Sequence, residues 1–542
     1  MFPAVPRPQR PFFRGLAASL LALALPALAA TGAGAQTAPA ASPSAAPAAA
    51  FAPKLGPALP FSFDTLTAEA KALAAKPYVA PQVKSPALYD KIDYDAYWHI
   101  QFKPAETVYA GATPIQFFHE GTYFRYPVTM HVVADGEARQ VLYSADYFDM
   151  PKDSPARAIE GQAGFAGFRI MRPDLKTDWI SFLGAAYFRT DGADRQYGLS
   201  ARAIPLNTGM SEPEEFPRFT SFWIEGGKDG TVTIYALMDG PSVTAAFRMT
   251  GRDADGQILD TSARFFFRGA VGRLGIAPLT SMFWYSEENR LQGFDWRPEV
   301  HDSDGLAMVT GTGERIWRPL NDPERVVTSS FSDNNPQGFG LIQRDRNFDH
   351  YQDDGVFYNK RPSVWIQPEG GWGKGAVQLV EIPTDDEIFD NIVAYWVPAT
   401  EPKAGTRMDF NYKLHWGREE PLDWQVARTV ATRLGRGGVP GQPRPAGQIK
   451  LAIDFQGPTL DGLTQASGVK PEVTSPPGVE IVNPYVLPVV GTKRWRLIFD
   501  VKAPASTETT DIRAFLSLKG KPLTETWLGQ LHPQQILRWG KH

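Results

Sequence analysis

Short runs in which apolar and polar residues alternate, each closed by Gly, Pro, Asn or Asp, recur along most of this chain and constrain its fold more than any other feature. Ile115, Phe117 and His119 alternate with Gln116 and Phe118, and Val128, Met130 and Val132 alternate with Thr129, His131 and Val133. A period of two sends successive side chains to opposite faces of a strand. Further strands are predicted over 165–171, 180–188, 219–225, 231–238, 243–249 and 262–267. The 49 glycines and 47 prolines supply turns between them, and no regular helix separates one run from the next as a parallel α/β fold requires. The expected class is therefore all-β, built as a large antiparallel sandwich. Two short helices are expected, one over 63–75 capped by Asp64 or Thr65 and one over 85–94.

A chain of 542 residues is too long for one compact core. Its composition breaks at Val397-Pro398-Ala399-Thr400-Glu401-Pro402-Lys403-Ala404-Gly405, which predicts a linker over 399–407. The large sandwich is then expected over 61–398. A smaller, immunoglobulin-like sandwich is expected over 408–542, where alternating runs recur at 408–416, 449–455, 479–482, 494–501 and 512–518. The stretch 433–447, rich in Gly, Pro and Arg, is predicted to be a mobile loop.

Arg7, Arg10 and Arg14 precede an apolar run over 16–28, and Ala33-Gly34-Ala35 supplies small residues before Gln36. This pattern predicts a secretory signal peptide over 1–35. An Ala/Pro/Ser-rich tether is expected over 36–60, since such a composition cannot bury enough apolar surface to order itself. The apolar run is too short for a membrane span, and no later segment reaches the ~20 residues required, so a membrane-embedded protein is not expected. The absence of cysteine excludes disulfides, thiolate catalysis and Cys-based metal sites. A net charge of -4 gives no electrostatic case for nucleic acid or an anionic membrane surface, so a neutral polar ligand fits better. The 8 histidines lack HxH or HExxH spacing, and GWGKG lacks the context of a phosphate cradle. No metal and no cofactor are expected.

Between Pro278 and Trp396 the chain mixes Trp, Tyr and Phe with Asp, Glu, Arg and Asn. Aromatic faces that stack on sugar rings beside carboxylates that move protons would account for both halves of the mixture. Trp284, Tyr285, Trp296, Trp317, Trp365, Trp372 and Trp396 are candidate platforms, with core packing as the rival role. Trp296 and Trp372 stand beside Asp or Gly in turn-like sequence and are the two expected to be exposed. Arg344, Arg346 and Arg361 could grip sugar hydroxyls or hold carboxylates in bidentate pairs. Asp353 and Asp354 read as a surface feature.

Several longer motifs carry a resemblance: GFAGFRI (164–170), LGAAYFR (183–189), YGLSAR (197–202), EEFPRF (214–219), APLTSMF (277–283), RPEVHDSDGL (297–306), NPQGFGL (335–341) and GWGKGAVQLVEIPT (371–384). Through them the chain resembles the periplasmic glucan biosynthesis proteins of the MdoG/OpgG and OpgD type, over essentially everything after the tether. The resemblance implies a large N-terminal sandwich joined to an immunoglobulin-like domain, a place in the periplasm, and action on osmoregulated periplasmic glucans. OpgD-type members are inverting β-1,2-glucanases, whereas OpgG types are assigned to glucan backbone synthesis or branching. By matching motifs, Asp390 in EIFDN corresponds to the general acid, Asp302 in HDSD to the general base, and Tyr358 to a tyrosine near the reaction centre. In that family type the base acts through a relay of water and substrate hydroxyl. Two functions follow: an endo-acting hydrolase or transglycosylase on β-1,2-glucan, or a glucan-binding scaffold that serves a membrane glucan synthase without turnover.

Overall fold

The computed structural model describes residues 52–423, 425–502, 509–532 and 535. The signal peptide expected over 1–35, and the tether as far as residue 51, lie outside the described residues. Strands make up about 46% of the described residues and helices about 10%, which establishes the all-β class. Among the described residues, no helix is long and apolar enough to cross a membrane.

Two large sheets form the main sandwich. The ten-stranded sheet runs in the order Val327–Asn334, Lys374–Glu381, Ile392–Pro398, Ile276–Ser281, Ser200–Arg202, Tyr187–Thr190, Asp178–Leu183, Phe165–Met171, Thr113–His119 and Val108–Ala110. Facing it, the sixteen-stranded sheet runs from Leu55–Pro60 through Arg218–Gly226, Val232–Asp239, Val243–Gly251 and Gln257–Phe267 to Arg407–Gly417. It continues through Ser363–Glu369, Gly338–Ile342, Gly305–Val309 and Arg315–Pro319 into Thr526–Leu531 and Thr510–Leu518. Pairing is antiparallel except where Arg218–Gly226 meets Thr129–Ala134 and Arg315–Pro319 meets Thr526–Leu531.

Cross-strand register sorts the ten-stranded sheet into two rows. Phe117, Phe168, Phe182, Phe188, Ala201 and Leu279 are successive partners, and all are buried. Phe168 and Phe182 stack at 4.9 Å and meet Phe222 of the facing sheet edge-on at 5.0 and 5.4 Å. One residue further along each strand, Gln116, Arg169, Ser181 and Arg189 are also successive partners. Because side chains alternate faces, this polar row points away from the core. It becomes the floor of a cleft.

A second core lies toward the C-terminus. Arg428–Arg436, Gln448–Gln456, Trp495–Lys502 and Glu480–Pro488 form a four-stranded sheet. Its inward residues Ile449, Leu451, Phe455, Leu497 and Phe499 pack with Ile512, Leu516 and Trp527 of the long sheet, and with Trp317 and Trp365 of the main sandwich.

Several sequence expectations need correction. The linker expected over 399–407 is a turn inside the main sandwich: Arg407–Gly417 pairs along its whole length between Gln257–Phe267 and Ser363–Glu369, and Pro402 is buried. Two prolines and a Gly at positive φ serve a tight reversal as well as they serve a linker. The change from one sandwich to the other therefore falls after Gly417, not at 398. The tether expected over 36–60 ends early, because Leu55–Pro60 pairs with Glu137–Val141 as an edge strand. The run 180–188 is two strands, since Gly184 and Ala185 take φ of 74° and 30° and fold it into a hairpin. The first helix, Phe63–Ala74, is capped by Ser62 rather than by Asp64 or Thr65, its hydroxyl accepting from the Thr65 amide at 3.1 Å. The second comes as two short turns, Pro86–Tyr89 and Tyr94–Trp98. The loop expected over 433–447 is shorter, because the strand Arg428–Arg436 enters it. Its base is tied by Gly437 donating to the Gln448 carbonyl at 2.9 Å.

Candidate active site

The polar row of the ten-stranded sheet lines a cleft of about 1010 Å³, open solvent included. Arg169, Ser181, Arg189 and Ser200 form part of its floor, and Trp98, Phe118, Tyr187 and Tyr197 are among its aromatic walls. Arg189 lies 5.0 Å over the Tyr197 ring, and the Tyr197 hydroxyl donates to Asp178 at 2.7 Å. Such a lining offers stacking faces and hydrogen-bonding groups together.

Asp302 and Asp390 lie near each other and near Arg189 of the cleft floor, and one short segment, Ser281–Met282, is shared by both. The Asp302 amide donates to the Met282 carbonyl at 2.8 Å, and the Asn391 amide donates to the Ser281 carbonyl at 3.1 Å. Asn391 then fixes the loop that carries Asp390. Its side chain accepts from the Phe283 amide at 2.8 Å and donates to the carbonyls of Phe283 and Ile382 at 2.8 and 2.9 Å. Fully satisfied and buried, this amide leaves Asp390 little freedom to move.

The two carboxyls differ in surroundings. Asp390 is half-buried, and no described residue donates a hydrogen bond to its carboxyl. Desolvation, helped by the nearby Asp302 charge and opposed by Arg189 and Arg361, pushes its pKa up to about 7. Asp302 is buried, with its Oδ1 3.4 Å from the Arg361 guanidinium. Burial raises its pKa, while Arg361, His301 and Arg189 pull in the opposite direction. His301 has both ring nitrogens engaged at 3.0 Å, one with Glu299 and one with Gln343. Burial alone would lower its pKa, but Glu299 and Asp304 lift it to about 9, so the ring is a cation beside Asp302. Mutual repulsion therefore favours one proton on the pair, and the cations favour Asp302 as the charged member.

A second polar cluster lies beside Asp302. Arg297 binds Glu387 at 2.9 and 3.0 Å, Asp353 at 2.7 Å and Asp295 at 2.8 Å, joining the 290s loop to the loop that carries Asp390. Tyr358, buried, donates its hydroxyl to Glu387 and lies beneath the Arg361 guanidinium at 5.0 Å. Arg361 backs onto Gly198, where an added Cβ would come within 3.1 Å of its side chain, so the absence of a side chain at 198 lets the YGLSAR motif close against it.

Of the residues singled out from the sequence, Asp302, Asp390, Tyr358 and Arg361 come together. Trp296 is 68% exposed on the rim loop, as expected. Trp372 is not exposed. It is 8% accessible, packed edge-on against Phe410 and Tyr412 at 5.5 and 5.9 Å, with its indole donating to the Asn411 carbonyl, and so belongs to the core. Arg346 does not face the cleft either. Its guanidinium donates to the carbonyls of Asn359, Arg361 and Arg418 and to the Ser363 hydroxyl, stapling the Tyr358–Ser363 backbone. Arg344 is clamped between Glu420 and Glu525 at 2.7 and 2.6 Å. Asp353, read as a surface residue, is buried against Arg297.

Arg169, Arg189, Arg297, Glu387 and Asn391 were missed as site residues. Each lies within or beside a family-like motif, so the signal was present without an indication of which face it occupied. Glu299, Asp345 and His350 offer atoms within 4.8 Å of one another that could hold a cation. Two of these are already engaged with each other, His350 with Asp345, and Glu299 is engaged with His301.

Relatives of this chain are consistent across its length. Glucans biosynthesis protein D 2 of Ralstonia nicotianae is 51% identical over 501 residues, covering 89% of this chain and 93% of its own. Glucans biosynthesis protein D of Stenotrophomonas maltophilia is 43% identical, covering 97% and 98%. The protein of that name in Xanthomonas campestris pv. campestris is 42% identical with the same coverage of 97% and 98%. Among solved structures, a polysaccharide lyase aligns over 68% of this chain and 44% of its own at 10% identity, with a TM-score of 0.22, too low to bear on fold or function. The family described as "Periplasmic glucan biosynthesis protein, MdoG" matches residues 61–531, and the chain belongs to that family.

Proposed function

We propose that this chain is an inverting, endo-acting glycoside hydrolase on β-1,2-glucan, with Asp390 as general acid and Asp302 as general base. What supports the reading most is that two carboxyls 88 positions apart (390 − 302) are held to one short backbone segment and lie near Arg189 on the floor of an aromatic cleft. One keeps its proton up to about pH 7, and the other lies among cations. Asp390 gives its proton to the glycosidic oxygen as the bond to the anomeric carbon breaks. Water attacks the opposite face of the sugar, and its proton passes to Asp302 through an intervening water and a substrate hydroxyl. Tyr358, held by Glu387, orients the sugar, and Trp296 on the rim stacks on the chain as it leaves. The β-1,2 linkage is taken from the family resemblance, not from the shape of the cleft.

Export to the periplasm is part of the proposal, with the signal peptide removed before Gln36; N-terminal sequencing of the secreted protein tests it. The catalytic reading is tested by incubating linear β-1,2-glucan with the protein, following chain length and the anomeric signal by NMR. Shortened chains that appear first with inverted configuration are expected. Glucan retained without cleavage would point instead to a holding factor for a membrane glucan synthase, and a retained anomer would exclude the mechanism.

A further inference from the structure

Gln343 follows the strand Gly338–Ile342 and is fully buried against the two segments that carry Asp302 and Tyr358. Its Nε2 donates to the His301 carbonyl at 3.1 Å, to the Tyr351 hydroxyl at 3.0 Å and to the Tyr358 carbonyl at 3.2 Å. Its Oε1 lies 3.0 Å from Nδ1 of His301. These partners allow the amide one orientation. Carbonyls cannot donate, so the nitrogen faces them, and the oxygen accepts from the imidazole N–H. The Tyr351 hydroxyl spends its own hydrogen on the Asp345 carbonyl at 3.2 Å and is left as an acceptor for Gln343.

One side chain therefore grips the backbone of the residue before Asp302 and the backbone of Tyr358. The second grip falls on a strained turn. Phe357, immediately before Tyr358, has a φ of 50°, in the left-handed region that a bulky side chain disfavours. Such strain persists only where the surrounding bonds over-determine it. The Phe357 amide donates to the Asp353 carbonyl at 3.2 Å, the Lys360 amide donates to the Phe357 carbonyl at 2.9 Å, and Gln343 holds the next carbonyl along. Arg361 also spans the two segments, but its guanidinium stands 3.4 Å from Oδ1 of Asp302, and that oxygen accepts no hydrogen bond. An ion pair of that kind tolerates a change of spacing that hydrogen bonds from one short amide do not.

We infer that Gln343 is a positioning residue for glucan cleavage: it meets no substrate, and it sets the spacing between the segment of the base and the segment of Tyr358. The inference rests on the catalytic reading of Asp302 and Asp390. Under that reading the proton of the attacking water reaches Asp302 through a water and a hydroxyl of the sugar that Tyr358 orients. The relay thus crosses from one segment to the other, and a displacement of about 1 Å between reacting groups can cost about 10²-fold in rate.

The test compares three variants of the full chain on linear β-1,2-glucan. Gln343→Met keeps the length of the side chain and removes its hydrogen bonds; it should lower kcat roughly 10- to 10²-fold while KM changes less than about threefold. Gln343→Asn retains an amide, is one methylene too short to reach both carbonyls, and should show the same split, which keeps the test available if the Met variant fails to fold. Tyr351→Phe is the contrast. The Gln343 amide has two hydrogens, so losing the Tyr351 hydroxyl leaves each with a carbonyl, and kcat should stay within about twofold of the wild type. Gln343 variants with kcat within about threefold of the wild type, or with the loss carried by KM, would overturn the inference. An equal loss in Tyr351→Phe would overturn it too, because the hydroxyl contact and not the bridge would then matter. Absence of cleavage by the wild type would overturn the catalytic reading and this inference with it, an outcome seen before any variant is made.

Discussion

Replacing Asp390 by asparagine keeps the shape of the side chain and removes the one proton it can transfer, so it separates catalysis from folding. Cleavage should fall by roughly 10²-fold or more. Stability should move the other way, and only at high pH. The folded protein holds the Asp390 proton up to about pH 7, whereas an unfolded aspartate lets go near 3.9. The sign follows from linkage. A carboxyl whose folded pKa is raised contributes stability that is complete below the unfolded value and lost as pH rises through the folded one. A rise of about three pH units corresponds to about 4 kcal/mol as a ceiling, and partial exposure reduces this to about 2 kcal/mol. The amide of the Asp390→Asn variant cannot ionise and escapes that loss. Thermal unfolding of wild type and Asp390→Asn should therefore give similar midpoints at pH 4, while at pH 8 the variant should unfold about 2 °C higher. The activity profile of the wild type should fall on the alkaline side of about pH 7 for the same reason. Equal midpoint differences at both pH values would refute the buried-acid assignment, even if cleavage were lost.

Asp302→Asn should also lose activity by roughly 10²-fold or more, since no carboxylate then accepts the proton of the attacking water; unimpaired turnover would remove Asp302 from the mechanism. Trp372→Ala should destabilise the protein by about 3–5 kcal/mol as a buried aromatic deletion, whereas Trp296→Ala should leave stability within about 0.5 kcal/mol and weaken glucan binding severalfold. Paired denaturation and glucan-binding measurements distinguish the two tryptophans. Asn391→Ala unpairs three buried backbone groups and should cost about 3 kcal/mol, with kcat reduced more than KM is raised, because the Asp390 loop loses its anchor; unchanged kcat would show that the loop is held by other means.

Many of the strands were legible because they announce themselves locally. Phe165–Met171 and Val243–Gly251 carry enough alternation for a single sequence to place them. The cleft floor was not, because Arg169, Ser181 and Arg189 form a row only once three strands are in register, and register is set by partners distant in sequence. The boundary between sandwiches was misread for a related reason. Pro398, Pro402 and Gly405 mark a reversal, but whether the next strand returns to the same sheet depends on its partners 257–267 and 363–369. Trp372 was misjudged because its glycine neighbours describe the backbone turn, while the Trp396–Phe410–Tyr412 surface that receives the ring lies elsewhere in the chain. Asp302 and Asp390 became a pair on paper only through resemblance. Their shared segment, Ser281–Met282, is the physical reason they are one.

The parallel pairing of Arg315–Pro319 with Thr526–Leu531 makes a single sheet run through both sandwiches. A jaw needs a flexible joint, and here the joint position is occupied by a hydrogen-bonded ladder flanked by Trp317 and Trp527. Swinging one sandwich away from the other would tear that ladder and expose both indoles. The segment around Trp296 and the reversal that carries Asp390 are likewise held to each other, by Arg297 and Glu387. Under the proposed function the protein works as a rigid trough, in which glucan meets a surface that is already formed.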